Sequence, residues 1–367
     1  VPLSVIEFME RERRISELNP TEAMFTDYNK IWEVQKRVAV FLGTSGEKIF
    51  LRNNVTAAFS DFLFSLPPIH RGEVLCSGWE YGGIVGLARH WAKLQSLDFR
   101  VAPLELNVNW AESALADAVI SSLSESTKVL VVSHVGTGTG AILPVKKIAE
   151  AARERGVITL IDGAHAIGAI PLSIDALDAA DFYGGNFHKW FLGPEGTGFG
   201  WVHPRWSGKL NWKFGGWASE APPAFYQSFG DGNAETCQRF FPGTIDRVPF
   251  LALSECLSFW EKHGADRIRN RQTEMRDLAA REAEALGWER ISPSQPSLLG
   301  PLVSFRRPEE WGTGESIALA TRLYREAKVQ LALPNVQDQA LVRFSPGVYA
   351  REREIKQAFL AMAAFRA

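Results

Sequence analysis

Cysteine is scarce in this chain. Its 367 residues include three, Cys76, Cys237 and Cys256, far apart and without the paired spacing of a metal site. No disulfide framework follows from them, and the expected compartment is reducing, that is, cytoplasmic. No excess of positive charge exists either. Lys and Arg number 40 against 42 Asp and Glu, a formal net charge of −2. That removes the electrostatic footprint of a nucleic-acid or anionic-membrane binder. No apolar run reaches the roughly 20 residues of a membrane helix, and no signal peptide is visible. The chain begins at Val1 rather than Met, so its start is expected to be trimmed. Residues 51–58 contain no glycine. A dinucleotide site wants a glycine-rich turn after its first strand and an acidic residue after the second. The segment Gly136-Thr137-Gly138-Thr139-Gly140 has the glycine density but not that spacing, and Ala141-Ile142-Leu143-Pro144 follows it instead of a helix.

What remains is an ordinary globular composition, 46% hydrophobic and 22% charged, ample for one large domain and a smaller one. Residues 1–42 read as helical with a break at Asn19-Pro20, and Ile31, Val34, Val38 and Leu42 recur at helical spacing. Short apolar runs at 48–51, 73–76, 129–133, 157–161, 181–185 and 198–202 read as strands. A loop at 53–58 is expected to enter a helix that continues through Phe59, Phe62 and Leu63, with further helices over 82–94 and over 145–155, the last with Gly156 as C-cap. Strands that alternate with helices, several apolar on both faces, imply a mostly parallel sheet covered on each side. Residues 249–286 read as one long amphipathic helix, followed by a smaller αβ region with strands at 301–305 and 340–344 and a helix at 315–327. The fold class is therefore α/β: a large domain at 43–254, a small C-terminal α/β domain at 255–367, and a helical segment at 1–42 expected to pack with the small domain.

Two residues carry the chemistry. Asp162 closes the run Leu160-Ile161-Asp162-Gly163-Ala164-His165, and Lys189, flanked by His188 and Trp190, follows 27 residues later. Pyridoxal 5'-phosphate (PLP) chemistry needs such a pair: a lysine amine to hold the aldehyde, and a carboxylate to keep the pyridine nitrogen protonated. Alone, a lysine is usually a surface residue and a strand-end Asp often a helix cap. The loop at 53–56, Thr137 and Asp162 each follow a predicted strand, at the edge where open α/β sheets bind ligands. Backbone amides at 54–57 and the Thr56 hydroxyl open a helix, a place suited to a phosphate or to an ordinary N-cap.

Further motifs stand in order along nearly the whole chain: Asn54-Val55-Thr56, Trp79-Glu80-Tyr81-Gly82, Ser133-His134-Val135, Asn186-Phe187-His188-Lys189-Trp190, Pro194-Glu195-Gly196-Thr197-Gly198, Gly243-Thr244-Ile245-Asp246 and Arg343-Phe344-Ser345. With these the sequence resembles a fold-type I PLP enzyme of the class V aminotransferase superfamily, the group of cysteine desulfurases and kynureninases. Within it the likeness is greatest to isopenicillin N epimerase-like proteins. The resemblance implies that Lys189 binds the cofactor and shuttles the Cα proton, and that Asp162 pairs with the ring nitrogen. It places His165 and Thr137 near the phenolic oxygen, and Asn54, Val55, Thr56, Asn186 and His188 at the phosphate. Thr244 would complete that site from the neighbouring subunit of a homodimer. Arg343 would hold the substrate α-carboxylate in a bidentate fork, with Tyr81 nearby. Trp79 falls where the family stacks a histidine on the cofactor ring, Tyr81 being the other candidate. An indole only donates, so proton transfer would fall to Lys189, Tyr81 or water.

No cysteine occurs in residues 257–367, where a desulfurase carries its nucleophilic thiol. That leaves epimerisation or β-elimination of the C–S lyase type ahead of transamination or decarboxylation, all on an amino acid substrate. The aromatic segment 211–230, with Trp212, Phe214, Trp217, Phe225, Tyr226 and Phe229, is expected to form a pocket wall for a bulky substrate or, alternatively, a dimer interface. A protein that has kept the fold but only binds a partner is opposed by the intact Lys189 and Asp162 pair. No metal site is expected.

Overall fold

Strand residues at alternate positions feed two cores, and this makes the central sheet. In β4 (Thr127–Ser133), Leu130 and Val132 pack on one face while Val129 and Val131 pack on the other, as the two-residue period requires. The computed structural model describes residues 1–211, 237–311 and 316–365. Seven strands form the large sheet: β1 (Ile49–Arg52), β2 (Glu73–Cys76), β3 (Asp98–Val101), β4, β5 (Ile158–Asp162), β6 (Phe182–Asn186) and β7 (Gly198–Val202). Their order is β1-β7-β6-β5-β4-β2-β3. Strand β7 runs antiparallel to both its neighbours, and the remaining pairs are parallel.

Helices cover both faces. On one lie α1 (Leu3–Leu18), α2 (Pro20–Phe41), α5 (Glu112–Ile120), α6 (Val145–Glu154), α7 (Val248–Leu251) and α8 (Leu253–His263). On the other lie α3 (Val55–Ser65) and α4 (Gly82–Leu94). The expected break between the first two helices falls at Asn19, whose side chain accepts the Glu22 N–H as N-cap ahead of Pro20.

A third core gathers the second half of α9 (Ala265–Ala285), α10 (Ser316–Arg322), α11 (Glu352–Ala364) and a three-stranded antiparallel sheet ordered β8-β10-β9. These strands are β8 (Val303–Arg306), β9 (Asn335–Val336) and β10 (Gln339–Phe344). One expectation is redrawn here. The helix read over 249–286 is three helices: α7 and α8 are divided at Ala252, and Gly264, at φ +80°, ends α8 ahead of α9. The N-terminal helices lie on α7, on α8, most of which falls within 255–367, and on the core of the large sheet, and none of their described residues joins the third core. Their apolar stripe, Ile31, Val34 and Val38, is spent against the large sheet. Among the described residues no helix is long and apolar enough to cross a membrane.

Candidate active site

Parallel register brings the candidate residues to one edge. Ser133, last in β4, pairs with Asp162, last in β5, and Asp162 pairs with Gly184 in β6. The loops after these strands, the start of α3 and the turn that carries Lys189 enclose a cavity of about 580 Å³. Its wall includes Asn54, Val55, Thr56, Thr137 and Tyr81, with Asp162, His165, Asn186, His188 and Lys189 opposite or beneath. Helix α3 approaches β7 closely. A Cβ on Gly198 would lie 2.9 Å from Asn54 Cα and 2.8 Å from Gly185 O, so only glycine fits there.

The start of α3 is an anion cradle. Asn186 Oδ1 accepts the Val55 N–H at 2.9 Å and Asn54 Oδ1 accepts the Ala57 N–H at 2.9 Å. The Thr56 N–H is left without a protein partner among the described residues. Because its oxygen is occupied, Asn186 presents its amide hydrogens to the cavity. His188 Nδ1 lies 3.2 Å from the Thr197 carbonyl, which fixes the proton on that nitrogen. Burial lowers the His188 pKa.

Below the cradle the groups are charged and dry. Burial pulls Lys189 down to about 8, against the attraction of Asp162 and with the help of Arg343. Asp162 is 3% exposed, and burial pushes its carboxyl up although Oδ1 accepts the Ala164 N–H at 2.8 Å. Lys189 Nζ lies 3.0 Å from His165 Nε2, and Thr137 Oγ1 lies 3.2 Å from the same atom. Burial, with Lys189 and Arg343, holds the His165 ring well below its ordinary pKa, hence neutral. Arg343, from β10, donates through Nη1 to Thr137 O at 2.8 Å and to its hydroxyl at 3.3 Å. Among the described residues its Nε is buried without a partner, which leaves the Nε–Nη2 edge as a two-pronged donor, although Arg343 itself lines a neighbouring cavity of about 220 Å³ with Ala332, Phe344 and Phe359.

Two candidates fall elsewhere. Trp79 is 2% exposed, packs edge-on to Trp110 and donates its indole N–H to Leu104 O at 3.1 Å. It is a core residue, whereas Tyr81, 52% exposed, lines the cavity. Thr244 is exposed just before α7, outside the cavity wall. The aromatic positions Trp212, Phe214, Trp217, Phe225, Tyr226 and Phe229 lie outside the described residues. Among the described residues no cluster of His, Cys, Asp and Glu is arranged to hold a metal ion.

Sequence reasoning passed over Glu80 and the His134–Tyr183 pair. Glu80 is half-buried as a residue, but its carboxyl is enclosed: it accepts from the Ser77 hydroxyl, from the Ser133 N–H at 2.6 Å and from the Ser133 hydroxyl at 2.7 Å. Burial raises it to about 8. His134 Nδ1 lies 2.9 Å from Tyr183 Oη, and burial lowers the ring to about 4. Glu80 and His134 stand within motifs visible in the sequence; their enclosure is not.

The family model for class-V aminotransferases matches residues 3–309. The isopenicillin N epimerase of Amycolatopsis lactamdurans is 31% identical over 343 residues, 89% of this chain and 83% of that protein. That of Streptomyces clavuligerus is 32% identical over 335 residues, with 89% and 82% covered. Among solved structures, a cystine C–S lyase in complex with its product cysteine persulfide superimposes with a TM-score of 0.86 at 23% identity, covering 100% of this chain and 95% of that one.

Proposed function

Since the chain belongs to the class-V aminotransferase family, we propose that it is a PLP-dependent enzyme acting at Cα of an amino acid, by epimerisation or by β-elimination. The observation that carries this reading is the placing of Lys189 and Asp162 on the wall of one cavity, with Arg343 bonded through Nη1 to Thr137 of that same wall. The chain that holds them is similar over 89% of its length to two isopenicillin N epimerases.

The donor set fits the cofactor. The unpartnered Thr56 amide, the Thr56 hydroxyl and the Asn186 amide suit its phosphate. A buried carboxylate suits its ring nitrogen, and a desolvated amine suits its aldehyde. When bound, PLP supplies the electron sink that allows a Cα proton to leave. Lys189 holds that proton and returns it. Arg343 orients the substrate through its carboxylate. His165 and Thr137 would lie on the side of the phenolic oxygen, and Tyr81, on the cavity wall where Trp79 is not, would stack on the ring. Thr244 reaches the phosphate of the partner subunit in a homodimer, for which a molar mass of two chains in light scattering is the check. We keep 43–254 as the cofactor-binding domain and 255–367 as the small one.

A cysteine desulfurase reaction is disfavoured. All three thiols are free and buried, and burial pushes Cys256 up to about 12 and Cys76 well above its ordinary value. Free, buried thiols also fit a cytoplasmic location. The test is turnover of a panel of L-amino acids in D2O. Cα deuteration with inversion is expected for epimerisation, and release of a 2-oxo acid with ammonia for β-elimination. Absence of a borohydride-sensitive visible band, together with no Cα exchange on any substrate, overturns the reading.

A further inference from the structure

Trp190 follows the lysine in sequence and is 7% exposed. Its carbonyl accepts the Gln272 side-chain amide from α9 at 3.3 Å, which secures the turn from the small-domain side. Its indole Nε1 lies 3.1 Å from His165 Nδ1. An indole N–H is a donor and nothing else, so Nδ1 is the lone-pair nitrogen of the ring. A neutral imidazole then carries its single proton on Nε2, the nitrogen that faces Lys189 Nζ at 3.0 Å and Thr137 Oγ1 at 3.2 Å.

We propose that Trp190 is a positioning residue: its indole N–H locks His165 in the Nε2–H tautomer, so that His165 meets Lys189 and Thr137 as a hydrogen-bond donor and never as a base. The proposal deepens the PLP reading and rests on it for its use in catalysis, but the lock itself belongs to the protein alone. One consequence concerns the lysine. An Nε2–H cannot accept from an ammonium, and two donors facing each other favour the free amine. The other groups around Lys189 are Asp162, which favours the ammonium, Arg343, which opposes it, and His188, which Glu195 faces in turn. The lock therefore adds to burial and Arg343 against Asp162, and keeps the amine ready for an aldehyde. A second consequence concerns the reaction. With His165 unable to take a proton, the base duty at Cα stays with Lys189.

The experiment is NMR of the full-length apoprotein with isotope-labelled histidine rings, with the His165 signals identified by their loss in His165→Gln. Carbon and nitrogen shifts of the ring distinguish the two tautomers directly. Wild-type protein is expected to show Nε2–H from pH 6 to 9, and finding Nδ1–H overturns the proposal whether or not any variant folds. In Trp190→Phe, and with benzothienylalanine at 190 to keep the packing without the N–H, Nδ1–H is expected to appear. The Lys189 pKa, read from the pH dependence of its reductive methylation, is expected to rise by about one unit, a tenfold loss of free amine at neutral pH. An unchanged tautomer and an unchanged lysine in both variants overturn the lock. Neither readout needs the cofactor, so failure of PLP to bind would sink the proposed function and leave the lock standing, and the reverse holds as well.

Discussion

Asn186 Oδ1 accepts the Val55 N–H at 2.9 Å, so the last residue of β6 is tied to the first turn of α3 across 131 positions of chain. One side chain thus closes the cradle and orients its own amide hydrogens into it. Asn186→Ala leaves the Val55 N–H unpaired, at a cost of about 1–3 kcal/mol. A lower melting temperature and PLP affinity weaker by about tenfold or more are expected. Asn186→Asp keeps the acceptor and removes the donor, so its melting temperature stays close to wild type while PLP affinity falls. Thermal melts beside cofactor titrations separate the two effects.

Lys189 leaves a signature in the apoprotein. Its folded-state pKa, about 8, lies below the ordinary 10.5. Between these values the unfolded chain holds the extra proton, so stability rises with pH across that window. Below about pH 8 the full penalty applies, on the order of 3 kcal/mol. Apo Lys189→Met is therefore expected to be more stable than apo wild type at pH 7, and the advantage to shrink as pH climbs towards 10.5. Urea unfolding at both ends of the window checks the sign.

Glu80 behaves in the opposite sense. Its carboxyl is raised from 4.5 to about 8, so the folded chain holds the extra proton between those values and stability falls as pH rises through them. Gln is the shape of the protonated acid. Glu80→Gln is expected to fold normally at pH 7 and to lose less stability than wild type between pH 6 and 9, measured by denaturant midpoints. A variant that is equally pH-sensitive would show that Glu80 does not carry the effect.

Arg343 spends Nη1 on Thr137 and keeps the Nε–Nη2 edge. Lysine offers charge without a fork. Arg343→Lys is expected to raise KM for the amino acid by about tenfold to a hundredfold, the worth of about 1.5–3 kcal/mol of charged hydrogen bonding, with the cofactor band unchanged. Steady-state kinetics beside the absorbance spectrum are the check.

Trp79 and Tyr81 separate packing from contact. Trp79→Ala removes a core side chain and is expected to cost about 3–5 kcal/mol of stability. Tyr81→Ala is expected to cost little stability and to shift the visible band of the bound cofactor. The reverse pattern would return Trp79 to the cavity wall.

Much of the site was readable because its residues end strands. Asp162 terminates an apolar run and Lys189 follows the next one at a short interval, so a parallel sheet alone brings both to one edge. The Asn19-Pro20 break was equally plain, since capping chemistry is local. Strand β3 was not: Asp98–Val101 lies at the sheet edge, partly exposed, without an apolar alternation to mark it. That Trp79 is buried and Tyr81 lines the cavity was not legible, because both sit in an irregular loop after β2, where no period says which aromatic turns inward. The enclosure of Glu80 depends on Ser133, 53 residues on, a contact that no local pattern carries.

The turn between α6 and β5 lies at the sheet edge away from the cavity, and residues 153–156 are exposed there. Nothing that touches the cavity depends on that peptide bond. The polypeptide can therefore be divided between Arg155 and Gly156 into two halves, one carrying Thr137 and the other Asp162, Lys189 and Arg343. Five pairs between β4 and β5, from Val129 with Ile158 to Ser133 with Asp162, and four between β1 and β7, from Ile49 with Trp201 to Arg52 with Gly198, are the two seams along which such halves would reassemble. Recovered absorbance and turnover would then report the meeting of two separate chains.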